Sequence, residues 1–361
     1  MKILVIGPSW VGDMMMSHSL YRLLAQRHPD AQIDVMAPAW CRPLLHCMPE
    51  VNQTLAMPLG HGALALGERC RLGRALGKSG YQQALVLPNS FKTALVLFFA
   101  SIPQRTGWRG EMRYGLLNDI RTLDKQAFPL MVQRYAALAF DRQEIRTASD
   151  LPTPLPWPRL TVSTTDINLA LSTFVPDSAR SLIGFCPGAE FGPAKRWPHY
   201  HYAALAKALI RRGYQIALFG SDKDQATGEA ISAALPAEYR DHCHNLAGKT
   251  SLEQAVALIA ACQGIVSNDS GLMHIASALD RPLVALYGPS SPDFTPPLSH
   301  QARVIRLISG YHKIRKGDDE QGYHQSMIAI QPAQALSELE TLLPIERRIN
   351  AGSDRQNVLD G

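Results

Sequence analysis

The strongest constraint on this chain is a pattern that occurs twice: short, nearly unbroken apolar runs separated by segments with helical spacing. KILVIG (2–7), QIDVMAP (32–38), QTLAMPL (53–59) and QQALVLPN (82–89) have the length and continuity of buried strands. MMMSHSLYRLLAQRH and LGERCRLGRALGKSG lie between them with apolar residues at helical intervals. Buried strands alternating with helices imply a parallel sheet wound with helical crossovers. The pattern restarts with SLIGFCPG (181–188), YQIALFGS (214–221), GIVSNDS (264–270) and RPLVALYGPS (281–290), separated by YAALAKALIRR and SLEQAVALIAAC. Between the halves, DLPTPLPWPRL sets prolines at 152, 154, 156 and 158, where they can neither continue a helix nor sit in a central strand.

A chain of 361 residues also exceeds what one hydrophobic core usually fills. The expectation is two α/β domains, 1–158 and 159–345. The last helical pattern, 332–343, is free to pack back on the N-terminal domain, and the polar tail 346–361 is expected to be mobile.

Hydrophobic residues at 46% and charged residues at 19% exclude general disorder. The charge balance of 36 basic and 31 acidic side chains gives +5, which favours anionic partners but is far from the density of a dedicated nucleic-acid binder. None of the six cysteines forms a CxxC pair, so they read as small core residues of a reduced, cytoplasmic protein. Met1 leads straight into a strand without a signal-peptide pattern, and no apolar run reaches the roughly 18 residues that a membrane span needs.

In doubly wound folds, ligands bind beyond the carboxyl ends of the strands. Four such places are unusual here. GPSWVGDMMM follows the first strand; Gly7 and Gly12 permit a tight turn, but the GxGxxG dinucleotide fingerprint is absent. Asp13 stands where a helix begins, as either a helix-capping carboxylate or a general base. In CPGAEFGPAKRWPHYHYAALA, Gly188 and Gly192 open an irregular loop and Lys195 and Arg196 precede a helix, a combination suited to phosphate. In SNDSGLMHIASAL, Asp269, Ser270 and Gly271 form a strand-to-helix turn with His274 near the first helical turn. That is either a capping pair with a satisfied histidine or an anion corner. QRTGWRGEMRYGLLND interleaves Arg105, Arg109 and Arg113 with Trp108 and Tyr114, and LPNSFKTAL adds Asn89 and Lys92. Guanidinium forks beside aromatic faces suit a phosphorylated or sugar acceptor, and single-stranded nucleic acid less well.

The stretches GPSWVGDMMMS, MAPAWCRPLL, RTGWRGEMRYGLLND, PGAEFGPAKRWP, NDSGLMH and YGPSSPDFTPPLS, in this order, resemble the ADP-heptose:lipopolysaccharide heptosyltransferases of glycosyltransferase family 9, most closely the heptosyltransferase II group. The resemblance runs to about Leu343. It implies a GT-B fold, two facing Rossmann-like domains with parallel sheets and an interdomain cleft. It implies ADP-L-glycero-D-manno-heptose as donor and, as acceptor, a lipid-linked, phosphorylated lipopolysaccharide inner core that bears one heptose. The product bond would be α-1,3, formed with inversion.

The same resemblance makes Asp13 the general base and Lys195 the catalytic phosphate ligand. It makes Gly188, Asp269, Ser270, Gly271 and His274 donor contacts, with Thr250 near the adenine. Asp222 and Asp224 both fit the ribose position, and Asn89, Lys92, Arg105, Arg109 and Arg113 would meet the acceptor. Lys195 and the amides at Ser270 and Gly271 would stabilise departing ADP. The two aspartates of FGSDKD are taken up by the ribose assignment, and no DxD-like carboxylate pair of the kind that holds a divalent ion near a donor diphosphate is apparent, so neither a metal nor a cofactor is expected to be required. No nucleic-acid partner is expected, and a lipid-borne acceptor implies peripheral contact with the cytoplasmic face of the inner membrane. The rival readings are a heptosyltransferase I-like acceptor specificity, a nucleotide-sugar epimerase or oxidoreductase on a similar fold, and a non-catalytic two-lobed sugar-binding protein.

Overall fold

The computed structural model describes residues 1–60, 64–175, 180–190, 192–310, 314 and 316–343. The tail 346–361 lies outside the described residues. The chain divides into two units: Met1–Thr161 together with Asp293–Thr295, and Val162–Pro292 together with the chain from Pro296 onward.

In the first unit the strands are β1 (Lys2–Ile6), β2 (Gln32–Ala37), β3 (Val51–Ala56), β4 (Gln83–Val86), β5 (Gln104–Trp108) and β6 (Asp119–Arg121). Its helices are α1 (Val11–Arg27), α2 (Arg42–His46), α3 (Leu66–Gly77), α4 (Phe91–Phe99) and α5 (Met131–Ala136). The six strands run parallel in the order β3-β2-β1-β4-β5-β6. Residues 3–6 of β1 and all of β4 are buried, as expected of strands covered on both faces. The first helix is held at mid-length by fully buried His18, whose Nε2 lies 2.7 Å from Glu50 Oε2.

The second unit repeats the plan. Its strands are β7 (Ser181–Cys186), β8 (Tyr214–Leu218), β9 (Cys243–Asn245), β10 (Gly264–Asn268), β11 (Leu283–Tyr287) and β12 (Ala302–Arg306). They are wound with α6 (Thr164–Phe174), α7 (His199–Ile210), α8 (Gln225–Ala233), α9 (Ala237–Arg240), α10 (Leu252–Ala261), α11 (Gly271–Ala278), α12 (Gln325–Ile328) and α13 (Pro332–Leu342). The sheet order β12-β11-β10-β7-β8-β9 has the same winding as the first, read from the other edge. The α10 start was legible locally, because Ser251 accepts from the Gln254 amide and Gln254 returns its side chain to the Ser251 amide.

Within the second unit the final helix packs on its own sheet: Ala335, Leu339 and Leu343 belong to the unit's core, and Leu339 packs where a Cβ on Gly264 would lie 2.8 Å from its Cδ1. Strands β5, β6, β9 and β12 were not anticipated. Three of them are sheet edges of three to five residues with polar positions, so their apolar signal is weak.

Candidate active site

Each sheet changes its winding direction once, between β1 and β4 in the first unit and between β7 and β10 in the second. A crevice opens at the carboxyl ends of the two strands that flank such a point. Asp13 follows β1, Asn89 and Lys92 follow β4, Gly188 and Lys195 follow β7, and the Asp269-Ser270-Gly271 turn follows β10, whereas the arginine cluster lies on and after β5 and the ribose candidates follow β8.

In the second unit the loop after β7 carries Gly188 and Lys195, and the turn after β10 carries Asp269, Ser270 and Gly271. The two are 74 residues apart in sequence, yet Lys195 Nζ donates to Asp269 Oδ2 at 2.6 Å. Asp269 is 7% exposed, and Lys195 keeps about a quarter of its side chain open, with 27% exposure. Ser270 is the N-cap residue of α11 in extended conformation, but its hydroxyl takes no capping bond. The first-turn amides of an eight-residue helix therefore face the same corner as the lysine, and both favour an anion. His274, one turn along, is buried, and its imidazole is pushed down to about 4. Burial is the main cause, with the Lys195 charge acting in the same direction and Asp269 opposing them. It is therefore neutral at pH 7.

Asn268, the last residue of β10, was not singled out in advance. Fully buried, it donates from Nδ2 to Pro187 O at 2.7 Å, and its Oδ1 accepts from the Trp197 amide and the Tyr202 hydroxyl, each at 3.1 Å. One amide thus ties both ends of the Lys195 loop to the neighbouring strand. Trp197 is itself fully buried, with its indole NH on Ile330 O at 2.9 Å. Gly192 adopts φ +104°, a conformation that glycine tolerates and other residues rarely take, so the loop can turn into Pro193.

The two ribose candidates separate. Asp224 Oδ2 accepts from the Ser221 amide and hydroxyl, each at 2.9 Å, and its carboxyl fills the space where a Cβ on Gly188 would lie. Asp222 is exposed, with its carboxylate over Gly248. Thr250 is half-buried just beyond that turn.

In the first unit, Trp10 is the N-cap of α1 and Asp13 lies in the first turn, so Asp13 is not the capping residue. Burial raises the Asp13 carboxyl to about 6, against the lowering effect of a hydrogen bond from the Tyr135 hydroxyl. Tyr135 is 7% exposed on α5, and no local motif advertised it. A carboxylate with that affinity for a proton is ionised at neutral pH yet suited to take one up.

The expected acceptor cluster is divided. Arg113 is fully buried and donates to the carbonyls of Pro88 and Trp108 and to Asn89 Oδ1. Arg105 donates to Leu116 O at 2.7 Å and Ile102 O at 2.6 Å. Fully buried Arg113 and half-buried Arg105 thus spend donors on backbone carbonyls and clamp the loop. Asn89 and Arg109 are exposed and Lys92 is half-buried. Among the described residues, no group of three or more His, Cys, Asp and Glu side chains is placed to hold a metal, and no helix is long and apolar enough to cross a membrane.

The model of glycosyltransferase family 9 (heptosyltransferase) matches residues 69–324. The lipopolysaccharide heptosyltransferase 2 of Salmonella typhimurium is 70% identical over 96% of this chain and 99% of its own length. The protein of the same name from Escherichia coli K12 is 69% identical over 95% and 99%. The solved structure of E. coli ADP-heptose lps heptosyltransferase II matches with a TM-score of 0.88 at 64% identity, covering 95% of this chain and 98% of that one. A family 9 glycosyltransferase from Veillonella parvula, 20% identical with a TM-score of 0.81, shares the fold. On sequence and architecture together, the chain belongs to glycosyltransferase family 9, the heptosyltransferases, and is a glycosyltransferase with an α/β, GT-B-like fold.

Proposed function

We propose that this enzyme transfers L-glycero-D-manno-heptose from ADP-heptose to the first heptose of a lipopolysaccharide inner core, forming an α-1,3 bond with inversion. The observation that carries the reading is the anion corner made by Lys195, Asp269 and the start of α11 at the second unit's winding reversal. The relatives support it, since those from Salmonella and E. coli are lipopolysaccharide heptosyltransferases and the E. coli structure is of an ADP-heptose enzyme.

In this reading the acceptor hydroxyl oxygen attacks the anomeric carbon as the bond from that carbon to the diphosphate oxygen breaks. The hydroxyl proton passes to the Asp13 carboxylate, and ADP leaves. Negative charge grows on the diphosphate as the sugar becomes oxocarbenium-like. The Lys195 ammonium, the amides at Ser270 and Gly271 and the α11 dipole meet that charge, and no divalent ion is assigned a role. Asp269 holds Lys195 in position, and neutral His274 adds no charge. Gly188 and Thr250 line the nucleotide, and Asp222 rather than Asp224 takes the ribose hydroxyls. Lys92, Arg109 and Asn89 meet the acceptor. Membrane contact is peripheral and cytoplasmic, and the first unit has exposed apolar side chains that suit it, Leu64, Leu66, Met112 and Tyr114 among them.

The test supplies ADP-heptose and a deacylated inner core that carries one heptose. Asp13→Ala should lose about 10²–10⁴-fold in kcat. Lys195→Ala should lose roughly 10²-fold or more in kcat/KM for the donor. Asp222→Ala should weaken donor binding more than Asp224→Ala does. An Asp13→Ala enzyme with the parent rate removes the base, and an inactive parent protein removes the reading.

A further inference from the structure

Tryptophan is the side chain with most to gain from burial, and three of the five here follow that rule: Trp108 is 7% exposed, Trp197 fully buried and Trp157 partly buried. Trp10 and Trp40 do not, at 45% and 55% exposure. They come from different strand ends, Trp10 from the loop after β1 and Trp40 from the short 3₁₀ turn Ala39–Cys41 after β2. Those two strands are neighbours in parallel register, so both indoles emerge at the carboxyl edge of the sheet.

One loop holds them. Trp40 Nε1 donates to Ser9 O at 2.9 Å, which anchors its polar edge to the residue before Trp10 and leaves its ring open. Gly7 fixes the start of the same loop, its amide donating to Met36 O at 2.9 Å. Three residues beyond Trp10, in the first turn of α1, stands Asp13.

We infer that Trp10 and Trp40 form an aromatic platform that receives the acceptor's sugar ring and sets its hydroxyl against Asp13. An indole face offers the flat, weakly polar surface on which the C–H face of a pyranose packs, while the sugar's hydroxyls stay free at the ring edge. The part of each indole that stays exposed is then covered when the acceptor arrives. This assignment rests on the transferase reading above and adds the recognition element that its cationic acceptor residues do not supply. Lysine and arginine read phosphate, whereas these rings read sugar.

The experiment uses the full chain, ADP-heptose and the deacylated, one-heptose inner-core oligosaccharide. Trp40→Ala is the cleaner variant, because the carbonyl it vacates is at the surface and water can take the bond. Its acceptor KM should rise about tenfold, the scale of one lost aromatic stacking contact, with donor KM unchanged. Trp40→Phe should recover most of the loss, and Trp10→Ala should behave like Trp40→Ala. Titrating the oligosaccharide without donor should change the parent's tryptophan fluorescence, and Trp40→Ala should lose much of that response. An unchanged acceptor KM overturns the platform, as does a loss shared equally by donor KM. A defect seen only with the lipid-bearing acceptor overturns it too, because that assigns the indoles to lipid. A parent enzyme that transfers nothing fails the functional reading instead, so the two failures are distinct.

Discussion

Replacing Asp13 with asparagine should make this protein more stable at neutral pH while removing its proposed base. Burial raises the Asp13 carboxyl from 3.8 to about 6. The folded protein therefore binds a proton at this site more tightly than the unfolded chain does. Below about pH 4 both states are protonated and the site is neutral to stability. As pH rises through the window from about 4 to 6, the unfolded chain ionises freely while the folded one resists, and stability falls. The rise from 3.8 to about 6, at about 1.36 kcal/mol for each tenfold change in proton affinity, gives a deficit of about 3 kcal/mol above pH 7.

Asparagine keeps the shape and an oxygen for Tyr135 but carries no charge, so the Asp13→Asn enzyme should not incur that deficit. Urea unfolding of both proteins from pH 4 to pH 8 measures it. The two should coincide near pH 4, and the variant should lead by up to about 3 kcal/mol at pH 8. Parallel curves across the range, or a variant less stable at pH 8, would falsify the claim that desolvation dominates this carboxyl. The same site should have lost transfer activity, the trade of stability against function that strained or desolvated catalytic groups commonly show.

Tyr135→Phe removes the hydrogen bond that opposes desolvation, so the acid limb of kcat/KM, expected near pH 6, should move upward. A limb that stays in place denies Tyr135 a positioning role. Asn268→Ala strands the Trp197 amide and the Pro187 carbonyl in a dry interior and should cost about 2–4 kcal/mol of unfolding free energy. Because the Lys195 loop loses its tie to β10, ADP affinity measured by calorimetry should fall as well. A stable variant with normal ADP binding would show that the loop is held by other contacts.

Much of the plan was legible locally. Among the described residues eight of the twelve strands announce themselves as apolar runs, and seven of these are interior strands, apolar because they are covered on both faces; β3, an edge without a buried residue, is the exception. The strands that escaped are mostly edges, where one flank meets solvent and the residues that satisfy it look like loop. Gly192, Lys195 and the Asp269-Ser270-Gly271 turn have residue types that suit an anion in any context, and the proposal that this anion is a nucleotide diphosphate comes from the family resemblance and not from the turn itself.

Residue type did not decide which arginines are available. Arg105 and Arg113 read in sequence like Arg109, but folding turns the first two onto backbone carbonyls and leaves the third exposed, since only the packed loop determines whose donors are already taken. Asp222 and Asp224 were likewise indistinguishable until Asp224 was found closing its own turn beside Gly188. Asn268 and Tyr135 carry no local signal at all, because their roles consist of contacts with residues 66 to 122 positions away. The sequence by itself determined which elements form and which chemistry each strand end can offer. Sheet order alone decided that Lys195 and Asp269 meet: only a parallel sheet that reverses its winding between β7 and β10 brings those two strand ends side by side.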